Sequence, residues 1–236
     1  MIVSIHQPAY LPWLGYFDRI SASDLFVFLD SVQFEKNSFT NRNRIKTAKG
    51  ALWLTVPVLS QGHLQKRLVD IKIDGTQNWK RKHLRAIEQN YSKAPFFADR
   101  FDRLVGSYGC ETDDLAEFCY RQLQFWLGEL SISTPVVRAS ELDVAGSKSD
   151  LIVALCKRLG ATAYLSGPFG RDYLQEDSFA EAGIAIRYHE YSHPIYRQLF
   201  GEFIPSLAVV DYWLNAAPEK GAAPASPRAG LTPDHV

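Results

Sequence analysis

The chain has 236 residues, of which 46% are hydrophobic, 22% charged and 13% aromatic, a composition that supports a sizeable core and excludes a disordered or fibrous chain over most of its length. Lys plus Arg and Asp plus Glu both number 26, but residues 1–100 hold fifteen basic against eight acidic side chains and the remainder eleven against eighteen, so the first half is where an anionic ligand would be drawn. Cys110, Cys119 and Cys156 form no C-x-x-C pair and read as reduced thiols of a cytoplasmic protein, Met1 to Pro8 lacks the regions of a signal peptide, and no apolar run is long enough for a spanning helix.

In chain order, Ile2 to Ile5 is an apolar run that reads as a strand, and Pro8 and Pro12 force a loop after it. A short helix is predicted from about Trp13 to Ser21 and a strand from Leu25 to Leu29, which together make a βαβ unit. Residues 35–49 form a polar, Asn/Arg-rich segment that reads as a loop. Leu52 to Val58 and Leu68 to Ile73 are predicted strands, the second ended by the Asp74-Gly75 turn. Three helices follow: Asn78 as cap to about Asn90, Pro95 to Ser107, and Thr112 to Leu130 with an apolar stripe through Leu115, Phe118, Leu123 and Trp126. Pro135 to Ala139 is a strand candidate. Ser147 to Asp150 resembles a capping box opening a helix that Gly160 ends. Ala163 to Leu165 reads as a short buried strand, Arg171 to Ala182 as a helix and Ile184 to Tyr188 as a strand.

Strands alternating with helices at both ends of the chain predict an α/β fold: a Rossmann-like, mainly parallel sheet flanked by helices, with a small strand insertion and a helical segment. One domain is expected over residues 1–215, with a disordered tail over 216–236 that holds four prolines and six alanines. In open α/β sheets ligands bind at the carboxyl ends of the strands. His6-Gln7, Asp30, Ser166-Gly167 and His189 follow the predicted strands, and would share one edge if those strands are parallel neighbours.

Three segments carry candidate chemistry. The loop from His6 through Gln7, Tyr10, Trp13 and Gly15 to Phe17 is rigid and aromatic. Its imidazole can act as an acid or base near neutral pH, and Gly15 can open a helix whose free N–H groups face an anion. The alternative is a packed loop whose aromatics fill the core. The segment from Asp30 through Gln33 and Lys36 to Asn41-Arg42-Asn43-Arg44 offers fork-shaped guanidinium donors and neutral amides for phosphate or carboxylate, or else is a solvated basic loop. Ser166-Gly167-Pro168-Phe169-Gly170 can bring backbone close to a ligand, or is a tight turn; its spacing is neither a P-loop nor G-x-G-x-x-G. His189 to His193 fits H-E-x-x-H, but it follows an alternating strand and precedes Pro194, so the helix needed for zinc is not expected and no metal site is assigned. No G-x-S-x-G elbow is present, and Cys119 and Cys156 lie on apolar helix faces.

Taken together, His6-Gln7-Pro8-x-Tyr10-x-Pro12-Trp13-x-Gly15-x-Phe17, Asp30-x-x-Gln33-Phe34-x-Lys36, Asn41-Arg42-Asn43-Arg44-Ile45-Lys46 and Trp53 to Val58 resemble the WbqC-like protein family. Tyr91-x-Lys93-Ala94-Pro95, Tyr164 to Gly167, Tyr173-Leu174, His193-Pro194-x-Tyr196-x-Gln198 and Phe203 to Asn215 extend the likeness over about residues 2–215. The resemblance implies a role in bacterial O-antigen or related surface-polysaccharide synthesis, with transfer of an acyl or aminoacyl group, such as glycyl, to a nucleotide-linked amino sugar.

On that reading His6, Asp30 and Lys36 are candidate catalytic residues, with His6 the base and Asp30 orienting it. Arg42, Arg44, Asn41 and Asn43 would hold the diphosphate. Gln7, Tyr10, Trp13, Gly15, Gln33, Ser166, Gly167, Tyr173, His193, Tyr196 and Gln198 complete the expected substrate site. No cofactor is assigned. The expected partner is a small sugar nucleotide rather than a long nucleic acid, which wants a broader basic surface. The alternatives are a nucleotidyltransferase, since the N-terminal layout is similar to adenylyltransferase-like folds but lacks the second His of their H-x-G-H signature, and a non-catalytic sugar-nucleotide binding protein.

Overall fold

The computed structural model describes residues 1–35, 38–59 and 66–216. Strand β1 (Ile2–His6) leads through a proline-containing loop into helix α1 (Leu14–Ser21) and strand β2 (Leu25–Phe28), which pairs with β1 in parallel. Strands β3 (Arg42–Thr47) and β4 (Gly50–Thr55) form a separate antiparallel hairpin. Helices α2 (Trp79–Tyr91), α3 (Phe97–Ser107) and α4 (Leu115–Glu129) follow, then β5 (Val136–Arg138), α5 (Lys148–Arg158), β6 (Ala163–Ser166), α6 (Glu176–Glu181), β7 (Ala185–Tyr188) and α7 (Val209–Asn215). The main sheet has five strands in the order β5-β2-β1-β6-β7, every neighbouring pair parallel. This is the Rossmann-like α/β architecture that the alternating pattern predicts.

The sheet separates two cores because strand side chains alternate between faces. Phe26 and Phe28 project to one side, where α1, α2, α3, α4, α7 and the hairpin supply Phe17, Trp79, Ile87, Leu104, Trp126, Trp213 and Ile45. Val3, Ile5, Val27 and Leu29 project to the other, against Leu151 and Leu155 of α5 and Phe179 of α6. Ser4 is wholly buried in the centre of β1, and its Oγ lies 2.8 Å from that of Ser23. Among the described residues no helix is long and apolar enough to cross a membrane.

Several local expectations change. Much of the polar segment 35–49 is strand rather than loop: Asn43 and Ile45 turn inward and alternate with Arg42 and Arg44, and Asn43 is tolerated inside because its amide is bonded. Leu68 to Ile73 is not a strand. Leu68–Asp70 is a 3₁₀ turn whose N–H groups at Leu68 and Val69 bond back to the carbonyls of Val32 and Asp30, so the buried positions Leu68 and Ile71 stand three residues apart before Ile73 resumes the spacing of two. The helix expected from Arg171 divides into a 3₁₀ turn, Pro168–Asp172, and α6. Ser147 takes an extended N-cap conformation but makes no capping bond, and Asn78 at the start of α2 makes none either. Gly160 ends α5 with φ +68, as its position suggests. The proposed tail lies outside the described residues beyond Ala216.

Desolvation keeps two imidazoles neutral, the partly exposed His6 at the sheet edge and the buried His83 in the core. Burial first, with Lys82 adding to it, lowers the His83 pKa to about 4, and its Nδ1 lies 2.8 Å from the Tyr10 hydroxyl. The unfolded chain therefore binds a proton that the folded chain refuses, and stability present above pH 6.5 is lost as pH falls toward 4. His83→Gln is expected to recover roughly 2–4 kcal/mol of the acid-induced loss, read as a smaller drop in urea-unfolding stability between pH 7 and pH 4. An unchanged drop would place the acid sensitivity elsewhere.

Candidate functional site at the carboxyl edge of the sheet

From β1 the chain builds outward through β2 to β5; β6 then pairs with the opposite side of β1 and β7 extends from it. The reversal lies between β1 and β6, the position where open α/β sheets leave a crevice for a ligand. The loops that flank that position are the one after β1, beginning at His6, and the one after β6, beginning at Ser166-Gly167. Asp30 and His189 follow β2 and β7 on the same edge, as the parallel reading requires. A separate concavity of about 400 Å³ is lined by Phe179, Gly183 to Ile186 and Tyr188, and contains none of the expected site residues.

His6 Nδ1 lies 2.9 Å from the Gln7 carbonyl, and its ring meets Tyr16 edge-on at 4.8 Å. Burial, and secondly the Arg19 charge, push its pKa down to about 3, so the imidazole is neutral near pH 7. Arg19 on α1 is 8% exposed, and the sequence motifs do not single it out. The available signal was its place in an eight-residue helix, LGYFDRIS, in which every residue from Leu14 to Ile20 is buried. Gly167 is there to admit it: a Cβ at Gly167 would stand 2.5 Å from Arg19 Nη1. Gly170 likewise has no room for a Cβ, which would overlap the Ser166 hydroxyl. The glycines of this loop thus serve side-chain packing. Beside Arg19, Asp18 pairs with His189 at 2.6 Å, so the loop after β7 is held onto α1.

Asp30 does not orient His6 through a hydrogen bond. It is fully buried, and among the described residues its carboxylate accepts from Arg138 Nε at 2.9 Å, Ser140 N at 2.9 Å and Ser140 Oγ at 2.8 Å. Arg138 also donates to Glu117 at 2.8 Å, which ties the ends of β2 and β5 to α4. Lys36 lies outside the described residues. Gln33 is exposed and bridges to Arg67.

The basic hairpin is fastened to the loop after β1. Asn43 Nδ2 donates to the Leu11 carbonyl at 2.6 Å, and Leu11 holds a left-handed φ of +44. Asn41 Nδ2 donates to the Val56 carbonyl. These buried amides brace the backbone rather than face a diphosphate, although Asn41 Oδ1 has no partner among the described residues. Arg42 and Arg44 lie on the other face, with their guanidinium carbons 4.4 and 5.5 Å from the ring centre of Trp53.

Tyr10, expected to touch substrate, is in the core: its hydroxyl bonds His83 and Tyr108. Gly15 does not bare a helix N-terminus to an anion, because the Trp13 indole occupies its Cβ direction. Trp13 in turn meets Tyr191 edge-on at 5.1 Å.

Tyr196 and Gln198 belong to a buried network. Asp211 accepts from Tyr91 at 2.7 Å, Tyr196 at 2.8 Å and Gln198 at 2.8 Å, while Lys46 donates to Gln198 at 3.0 Å. Burial raises the Asp211 pKa against these bonds. His193 is partly buried beside them, its Nδ1 3.1 Å from the Tyr191 hydroxyl and its Nε2 without a partner among the described residues. Residues 189–193 are not helical, and no group of three metal-ligand side chains occurs among the described residues. Tyr173 is half exposed near Arg19. Burial pushes the Cys119 and Cys156 thiols up to about 12, away from nucleophilic use.

The fold and this edge define a Rossmann-like α/β protein whose switch point lies beside a neutral histidine and a buried arginine. The chain belongs to the WbqC-like protein family, whose model matches residues 7–223. It is 37% identical over 219 residues to "Uncharacterized protein Rv1507c" of Mycobacterium tuberculosis (strain ATCC 25618 / H37Rv), covering 92% of this chain and 94% of that one. No solved structure matches it.

Two substitutions test the bracing of this edge. Asn43→Ala leaves the Leu11 carbonyl without its donor, and should lower urea-unfolding stability by about 1–3 kcal/mol. Gly15→Ala should lower it by a similar amount, about 1–3 kcal/mol, because the added methyl overlaps the Trp13 ring. Wild-type stability in both would mean that the loop is not held by these contacts.

Proposed function

We propose that the protein transfers an acyl or aminoacyl group, such as glycyl, onto the amine of a nucleotide-linked amino sugar, in bacterial surface-polysaccharide synthesis and in the cytoplasm. The observation that carries this reading is a neutral imidazole, His6, at the switch point of a parallel sheet, next to a loop that is fastened to the Arg42/Arg44 hairpin. Family membership supports the surface-polysaccharide setting.

In the reaction, the sugar amine attacks the carbonyl carbon of an activated acyl donor. The C–N bond forms, the bond to the donor's leaving group breaks, and His6 takes the proton that the amine sheds. Neutral His6 is the form that accepts a proton. A base depressed to about 3 is weak, and an anionic substrate near Arg19 would offset the charge that helps depress it. Arg42 and Arg44 are assigned to the diphosphate, where the fork geometry of guanidinium matches phosphate oxygens. Asp30 is reassigned from orienting His6 to bracing the sheet edge with Arg138.

The test is turnover of a nucleoside-diphosphate amino sugar with candidate acyl and aminoacyl donors, followed by mass spectrometry of the N-acylated product. His6→Ala should abolish turnover while sugar-nucleotide affinity stays within about tenfold. Full activity in His6→Ala removes the proposed base. Pyrophosphate release from a nucleoside triphosphate with Mg²⁺ would favour nucleotidyl transfer instead. Sugar-nucleotide binding without turnover by any donor would favour a binding protein.

A further inference from the structure

We infer that Arg19 is the receptor for an oxyanion, a phosphate or carboxylate group of a small ligand that enters the crevice between β1 and β6. This goes beyond the hairpin arginines assigned above and requires no acyl transfer.

The inference starts from a charge without a counter-charge. Arg19 is 8% exposed, yet among the described residues it forms no ion pair and donates no hydrogen bond. A buried guanidinium stays protonated, and burying a cation unpaired is strongly unfavourable. Natural interiors pair such groups, as this chain does elsewhere: Arg138, likewise poorly exposed, is bonded to both Asp30 and Glu117. The groups that face Arg19 electrostatically are the hydroxyls of Tyr16, Tyr164 and Tyr173, none of which is a carboxylate. Asp18, the adjacent carboxylate in sequence, is turned to His189.

The side chain is also placed to be reached. Nε is shut off from solvent without a partner, whereas Nη1 and Nη2 are not among the fully buried unpaired atoms. The small exposure that Arg19 keeps therefore includes its tip. Nη1 lies under Gly167, the first residue after β6, in space that a side chain would fill. Its charge reaches His6 at the end of β1. The tip is thus held between the two loops that flank the switch point, with both terminal nitrogens available to a bidentate oxyanion. Phosphate and carboxylate share the required chemistry, and only a measurement separates them.

The test titrates full-length wild type with inorganic pyrophosphate, inorganic phosphate and acetate at ionic strength matched with sodium chloride, read by calorimetry and thermal unfolding. Saturable binding of at least one oxyanion is expected, and the arm that responds identifies phosphate or carboxylate as the source. Arg19→Met should weaken that binding at least tenfold and, in anion-free buffer, unfold no earlier than wild type, because it removes an unpaired buried charge. Should Arg19→Met fail to fold, Gly167→Ala serves: its methyl displaces Nη1 while leaving the charge, and affinity should again fall. Absence of saturable binding in wild type, or unchanged affinity in Arg19→Met or in Gly167→Ala, overturns the inference. Loss of binding in Arg42→Met/Arg44→Met with retention in Arg19→Met would place the anion on the hairpin, overturning this inference while leaving the acyl-transfer reading intact.

Discussion

The parallel pairing of β1 with β2 on one side and β6 on the other is the constraint on which the rest depends. A central strand has both edges hydrogen-bonded and both faces covered, so its side chains must be small, apolar or internally satisfied. Ile2-Val3-Ser4-Ile5 meets that demand, with Ser4 satisfied by Ser23. Because the chain first builds outward through β2 and later adds β6 to the other side, the sheet reverses its strand order between β1 and β6. The candidate site at that reversal is therefore a consequence of strand order.

Around that site, buried polar groups act mainly as fasteners. Asp30 with Arg138 and Ser140 joins β2 to β5. Asn43 holds the loop after β1 to the hairpin. Asp211, with Tyr91, Tyr196 and Gln198, anchors α7 against α2 and the segment that precedes α7. Each is bonded within the protein, which offsets the cost of taking it out of water. Arg19 departs from this pattern, since among the described residues it makes no hydrogen bond or ion pair. A fixed positive charge beside a neutral imidazole, in a poorly hydrated setting, acts more strongly on an entering anion than the same charge on the surface.

Much of the fold is legible in residue order. Period-two and period-3.6 patterns mark the parallel strands and the long helices to within a few residues, because burial on one or both faces writes directly into the spacing of apolar side chains. Two segments mislead for related reasons. Arg42 to Thr47 lacks the apolar alternation of a strand because a bonded asparagine, Asn43, takes an inward position. Leu68 to Ile73 alternates like a strand, yet bonds back to the loop after β2 curl its first half into a 3₁₀ turn. In both, a hydrogen bond to a distant part of the chain overrides the local pattern.

The sequence by itself determined the fold class, the family, the parallel edge and the presence of His6 on it, since these follow from local periodicity and from contiguous motif residues. Only the tertiary structure decided which motif residues are taken up by internal contacts. Tyr10, Gly15, Asn43, Tyr196 and Gln198 are constrained by packing and internal hydrogen bonds, and a packing constraint looks the same as a ligand constraint when read along the chain. Arg19 shows the converse. Among the described residues no carboxylate pairs with it, and a pairing that is not made leaves no trace in residue order.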